Sequence, residues 1–139
     1  MSDSPTPRQV PASGELPARG EPVVRTVPMP ADANANGDIF GGWVLSQMDI
    51  AGAVAAGRAT RGRLATVAVE AMTFHRPIHI GDLVSLYAHV VKTGRTSVTV
   101  QIETIVNRRD AADEIKVTEG TFVYVAIDDD GNPRPLPEA

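Results

Sequence analysis

Residues 41–58 read GGWVLSQMDIAGAVAAGR, the one long stretch of this 139-residue chain with helical character. Behind the opening glycines the residues are mostly helix formers, and Arg58 stands where a cation suits the negative end of a helix dipole. Asp38, just upstream, offers a side chain able to cap the start. Apolar residues occupy nearly every face of the run, so the helix is expected to be wrapped by other structure.

Downstream, after Gly62, the apolar period changes to two. Residues 64–74 form one expected strand and residues 82–92 a second, separated by His75-Arg-Pro-Ile-His-Ile-Gly-Asp82. The clearest alternation is in residues 96–106, where Val98, Val100, Ile102 and Val106 interleave with Ser97, Thr99, Gln101 and Glu103. A fourth strand runs from Ile115 to Ile127. The connections are short and rich in turn residues, with no helix to carry a parallel crossover, so the sheet must be largely antiparallel. Upstream of the helix, Val23–Val27 is a short β-branched strand that ends at Pro28-Met29-Pro30, and residues 31–38 form a shaped Asn/Asp/Gly loop. One short strand, one buried helix and four long strands predict an α+β domain over residues 23–127, a curved antiparallel sheet around one long central helix. Residues 1–22, with five of the eleven prolines and no apolar period, are expected to be a disordered leader. Residues 128–139 are a proline-rich tail unable to sustain a ladder or a helix.

Composition narrows the chemistry. A formal charge of −4 supplies no basic field for a nucleic acid. With no cysteine there is no disulfide framework, thiol nucleophile or thiolate zinc site. The longest apolar stretch, residues 43–56, is interrupted by Ser46, Gln47 and Asp49 and falls short of the roughly 20 residues a membrane helix needs. With no signal-like N-terminus, the expected location is cytoplasmic.

Two features of residues 34–49 need explanation. Gly41-Gly42 opens the helix, where free N–H groups and the positive dipole end suit a developing oxyanion, although close packing of the turn would account for the glycines equally well. Asp49 is an acid among Met48, Ile50 and a run of small apolar residues. Burying an ionised carboxylate costs several kcal/mol unless it is paired, so it is either held by a nearby cation or backbone donor or used as a catalytic base or nucleophile. At about 1.5 Å per residue, Gly41 and Asp49 lie on the order of 12 Å apart along one helix. Both cannot reach one carbonyl. If both act, a second copy supplies one of them, and a two-fold interface makes two sites at once.

The run Met29-Pro-Ala-Asp-Ala-Asn-Ala-Asn-Gly-Asp-Ile-Phe-Gly-Gly-Trp-Val-Leu-Ser-Gln-Met-Asp49, followed by Val67-Ala-Val-Glu-Ala-Met-Thr-Phe-His-Arg-Pro-Ile-His-Ile-Gly-Asp82, resembles the hotdog-fold acyl-CoA thioesterases of the YciA type. The resemblance extends from about Val24 to Pro137. Its core is Asn-x-x-Gly-x-x-x-Gly-Gly with Asp seven residues after the second Gly, and no position departs from it. The resemblance implies a hydrolase of lipid metabolism that releases free fatty acid and CoA. By the same resemblance Asp49 is the catalytic carboxylate, Asn34 of the opposing protomer positions the water or thioester, and Gly41 and Gly42 supply the oxyanion N–H groups. It also places the CoA nucleotide near Arg76 and the turn Lys92-Thr-Gly-Arg95-Thr96-Ser97, and implies an obligatory dimer, commonly in a homohexameric trimer of dimers. No cofactor or metal is implied, since coenzyme A is part of the substrate. For Lys92 a solvated hairpin charge is the simpler account.

Other polar residues carry less. His75, His79 and His89 show no metal-ligand spacing and read as loop or surface residues. Arg58, Arg61 and Arg63 complement the helix dipole. Glu70, inside an apolar strand, reads as a second buried acid, either paired with an arginine or lining the site. A non-catalytic acyl-CoA binding or sensing protein is the competing function, and retention of both Asn34 and Asp49 argues against it. A hydratase on the same fold would need a histidine in residues 34–49, which hold none.

Overall fold

The computed structural model describes residues 19–109 and 112–138. The order is β1 (Val24–Thr26), a short 3-10 turn (Pro30–Asp32), α1 (Gly41–Thr60), β2 (Leu64–Phe74), β3 (Leu83–Thr93), β4 (Ser97–Asn107) and β5 (Glu114–Ala126). The strands form one antiparallel sheet in the order β1-β3-β4-β5-β2, and α1 touches every one of them. The four long strands lie within one residue of their expected limits. Along β4 the alternation of buried and half-buried residues holds from Ser97 to Ile102 and then breaks, with Glu103 and Thr104 both buried before a register shift.

The helix buries Val44, Met48, Ala51, Gly52, Ala55 and Ala56, a single face at helical spacing, against the core residues Val84, Leu86, Val98, Val100, Ile102, Phe122 and Tyr124. Each fully buried aliphatic chain here is worth about 1.5–3 kcal/mol. The expected wrapping is incomplete within one protomer, because the sheet covers one side and leaves Leu45, Ile50 and Val54 exposed. Strand β2, at the sheet edge, likewise exposes Val67, Val69 and Phe74.

The helix begins at Gly41 as expected and runs two residues past Arg58, closing with Arg61 in the left-handed region. Asp38 is not its cap. The cap position is Phe40, which makes no side-chain bond, because the preceding backbone is held by Ile39 N–H donating to Ile78 O and Phe40 N–H to Asp32 O. Asp38 instead forms a bridge with His79.

Of the expected leader, residues 1–18 lie outside the described residues. Arg19 sits over the Tyr87 ring at 5.4 Å and contacts Glu103 and Glu114. Among the described residues the tail contains no strand or helix but is pinned to β5 and the β3–β4 turn: Arg134 N–H donates to Ala126 O and Leu136 N–H to Arg95 O. The alternating prolines remove every second donor, and the residues between them keep theirs.

Candidate active site

The loop before α1 folds around Asn34. Its side-chain oxygen accepts from the N–H groups of Asn36 at 2.9 Å and Asp38 at 3.2 Å, while Gly37, at φ 85°, closes the turn onto Asn34 O. The amide nitrogen of that side chain has no partner among the described residues and is the end that can donate outward. The chain then enters α1 at Gly41 and Gly42, both exposed, whose N–H groups are likewise unpartnered among the described residues. The rings and loops around them make a cleft of about 260 Å³ whose walls include Ile39, Val44, Phe74, Ile78 and Val117, with His75 and Arg76 among the lining residues. Phe74 lies beside Gly41, but a Cβ at Gly41 would come no nearer to its ring than 3.5 Å and one at Gly42 would meet nothing within 4 Å, so close packing does not account for the glycine pair.

The cleft wall is fastened from below. Asp82, 3% exposed, accepts from His79 N–H at 2.8 Å and from Arg108 Nε at 3.3 Å, while Arg108 also donates to Pro77 O. A line of charge reaches the cleft from the N-terminal side: Glu103 bonds Lys116, Lys116 bonds Glu119, and Glu119 bonds His75 at 2.7 Å. Burial alone would lower the Lys116 pKa, but its hydrogen bonds to Glu119 and Glu103 raise it above the ordinary lysine value. Hydrogen bonds from Lys116 and His75 hold Glu119 below the usual carboxylate range.

Asp49 lies half-buried on the flank of α1, and among the described residues neither a cation nor a backbone donor accounts for it. Its Oδ1 accepts from the Thr66 hydroxyl at 2.7 Å and from the Tyr124 hydroxyl at 3.1 Å. Oδ2 has no partner among the described residues. Burial and the Asp49 charge push the Tyr124 phenol far above its usual pKa, so it is a permanent donor. Neither hydroxyl was singled out in the sequence, since each comes from a strand remote in the chain. A glycine at position 52, three residues after the acid and facing Tyr124, was the available signal.

The expected site residues fall into two groups within one protomer. Phe74, beside Gly41, pairs with Thr118 of β5, and Thr66, on Asp49, pairs with Tyr124, six residues along. That separates the two ends by about 20 Å. Arg76 lies at the Gly41 end. Arg95, Thr96 and Ser97 lie at the other, where Thr96 O accepts from Ala126 N–H and Ser97 O from Gly94 N–H. Arg76 and Arg95 therefore do not meet in one chain.

Other expectations change. Glu70 is exposed on the edge strand, and the buried acids are Asp82 and Glu103. His89 lies within β3, half-buried opposite Gln101, while His75 and His79 are exposed as expected. Arg63 does not serve the helix dipole but donates to Asp129 O at 2.9 Å, tying β2 to the tail. Among the described residues no group of three or more His or acidic side chains could hold a metal, and no helix is long and apolar enough to cross a membrane.

A long helix set on a five-stranded antiparallel sheet defines a hotdog-type domain, with an acid on the helix flank and free N–H groups at the helix start. Comparison with known proteins agrees: residues 36–109 match the thioesterase superfamily, and the chain belongs to that family. It is 54% identical over 122 residues to the acyl-CoA thioester hydrolase YciA of Salmonella typhimurium, covering 86% of this chain and 92% of that one. It is 52% identical over the same shares to the YciA of Escherichia coli. Among solved structures, a hexameric thioesterase from Yersinia pestis matches with a TM-score of 0.82 and 51% identity, over 88% of this chain and 99% of that one. A hexameric hotdog fold thioesterase of Campylobacter jejuni matches at 0.82 and 40%, over 86% and 92%.

Proposed function

We propose that this protein hydrolyses acyl-CoA thioesters to free fatty acid and CoA, at a site shared by two copies of the chain. The observation that carries the reading is the pairing, on one helix, of free Gly41 and Gly42 N–H groups with a hydroxyl-bound acid whose second oxygen is open. The thioester carbonyl rests on the glycine N–H groups, which stabilise the oxyanion as it forms. Asp49 either takes a proton from a water that attacks the carbonyl carbon or attacks that carbon itself. In the water route the carbon–sulfur bond then breaks, the CoA thiolate leaves, and the proton held on Asp49 passes to sulfur. A pure binding protein has no use for a carboxylate held in this way.

Both groups cannot come from one protomer. If the exposed β2 edges of two copies pair antiparallel about a two-fold axis near residue 70, the Thr66 end of one strand comes opposite the Phe74 end of the other. That brings Asp49, Arg95, Thr96 and Ser97 of one copy toward Asn34, Gly41, Gly42 and Arg76 of its partner. It covers Val67 and Val69, and Asn34 is left to orient the water or thioester. The arginines and hydroxyls hold the CoA phosphates, and no further cofactor is needed. The hexameric relatives support assembly of three such dimers.

The test is thiol release from acyl-CoA esters over a panel of chain lengths, with no thiol background because the chain has no cysteine. We expect wild-type turnover and a loss of about 10³-fold for Asp49→Asn. Absence of wild-type hydrolysis, or full activity of Asp49→Asn, would overturn the reading.

A further inference from the structure

Tyr124 projects from β5, with its ring stacked on Phe122 at 6.4 Å between centroids and no part of it exposed. A phenol buried to this extent must find a hydrogen-bond partner. Its Oη lies 2.9 Å from the backbone carbonyl oxygen of Asp49 and 3.1 Å from Oδ1 of the same residue. The carbonyl belongs to the interior of α1, where the N–H four residues on already pairs with it. The ionised carboxylate is the stronger acceptor and the one that needs the proton. One hydroxyl therefore spans the main chain and the side chain of Asp49 and sets the carboxylate's rotation relative to the helix.

The contact is possible only because residue 52 has no side chain. A Cβ there would strike the Tyr124 hydroxyl and lie 2.7 Å from Ile102 Cδ1 and 2.9 Å from Tyr124 Cζ. Glycine inside a helix weakens it, and its presence here matches the space the phenol needs. We infer that Tyr124 is a positioning residue of Asp49, acting beside the Thr66 hydroxyl that bonds the same oxygen at 2.7 Å, and that Gly52 is the notch that admits it, so that Oδ1 is the anchored oxygen and Oδ2 the one presented to water or thioester. This inference rests on the hydrolase reading above.

Tyr124→Phe deletes the hydroxyl and keeps the ring. We expect kcat for acyl-CoA hydrolysis to fall about 10- to 100-fold, with KM changed less than about twofold because no substrate contact is lost. Gly52→Ala, which keeps the hydroxyl but displaces it, should reproduce that split. Because Tyr124 acts through the carboxylate, adding Tyr124→Phe to Asp49→Asn should cause no further loss, whereas a merely structural tyrosine would lower both backgrounds alike. The inference is overturned if Tyr124→Phe keeps kcat within about twofold of wild type while Asp49→Asn is inactive. The same holds if KM rises in proportion to the fall in kcat/KM. A fully active Asp49→Asn would instead remove the catalytic role of Asp49, and absence of wild-type hydrolysis would remove the hydrolase reading, so the three failures are told apart by the wild type and that one variant.

Discussion

Replacing Gly52 by alanine adds a single methyl group to the middle of α1, and the structure says where it goes. The new carbon falls 2.7 Å from Ile102 Cδ1 and 2.9 Å from Tyr124 Cζ, with the phenol oxygen nearer still. Ordinary carbon contacts lie at about 3.5–4.0 Å, so the ring must retreat by roughly 1 Å. Strand β5 cannot carry it away, because it is paired with β4 on one side and β2 on the other. Overpacking of this kind costs about 1–3 kcal/mol, and drawing the hydroxyl off Asp49 adds about 1–2 kcal/mol. The better helix propensity of alanine returns about 1 kcal/mol. The expected net loss is about 2 kcal/mol. Urea unfolding followed by circular dichroism, at one fixed protein concentration since assembly shifts the midpoint, measures it directly. Gly57→Ala is the control: the nearest side-chain atom to its Cβ is Leu64 Cδ2 at 4.0 Å, so it takes the propensity gain without the collision and should be about 0.5–1 kcal/mol more stable than wild type. If Gly52→Ala proves as stable as Gly57→Ala, the close approach of Tyr124 to the helix is refuted, and the steric argument with it.

With Arg95 assigned to the CoA nucleotide and not to the thioester, Arg95→Ala should raise KM about tenfold with kcat little changed; a kcat loss without a KM change would contradict this. Asp82→Ala leaves Arg108 Nε and His79 N–H without their acceptor and should cost about 2–3 kcal/mol by urea unfolding, with KM raised as Pro77 and Ile78 loosen in the cleft wall. The charge line to His75 makes stability depend on pH in a definite direction. Glu119 titrates below its ordinary 4.5 when folded, so its contribution is present above that value and lost as pH falls through the folded pKa. Lys116, raised above 10.5, contributes below that pH and is lost as pH rises through its folded value. Urea midpoints should therefore fall at both extremes. In Lys116→Met, Glu103 and Glu119, which face each other across β4 and β5, lose their bridge, so the variant should be more impaired at pH 7 than at pH 4.

The secondary structure was legible because each element announces itself locally. A period of two marks the long strands, the small apolar run marks α1, and the Asn/Asp/Gly cluster marks the loop that Asn34 organises. The error at Glu70 and Glu103 has a physical cause. Both acids sit among apolar neighbours, but β2 is an edge strand and β4 an inner one, and position in the sheet follows from long-range pairing that no local pattern encodes. Asp38 was misread as a cap for a related reason: a longer-range partner, Ile78 O, holds the backbone at residue 39 and so decides where the helix begins.

By itself the sequence determined the kinds of elements, their order, the antiparallel connection and the family motif, all of which depend on residues close along the chain. Tertiary structure alone decided that Asp49 is held by hydroxyls from Thr66 and Tyr124, 17 and 75 residues distant, and not by a cation. It also put Arg76 and Arg95 at opposite ends of the sheet within one chain. The reason is that a carboxylate half-withdrawn from water takes whatever donor the folded backbone brings within about 3 Å, and that proximity is set by strand register and by a missing side chain at Gly52.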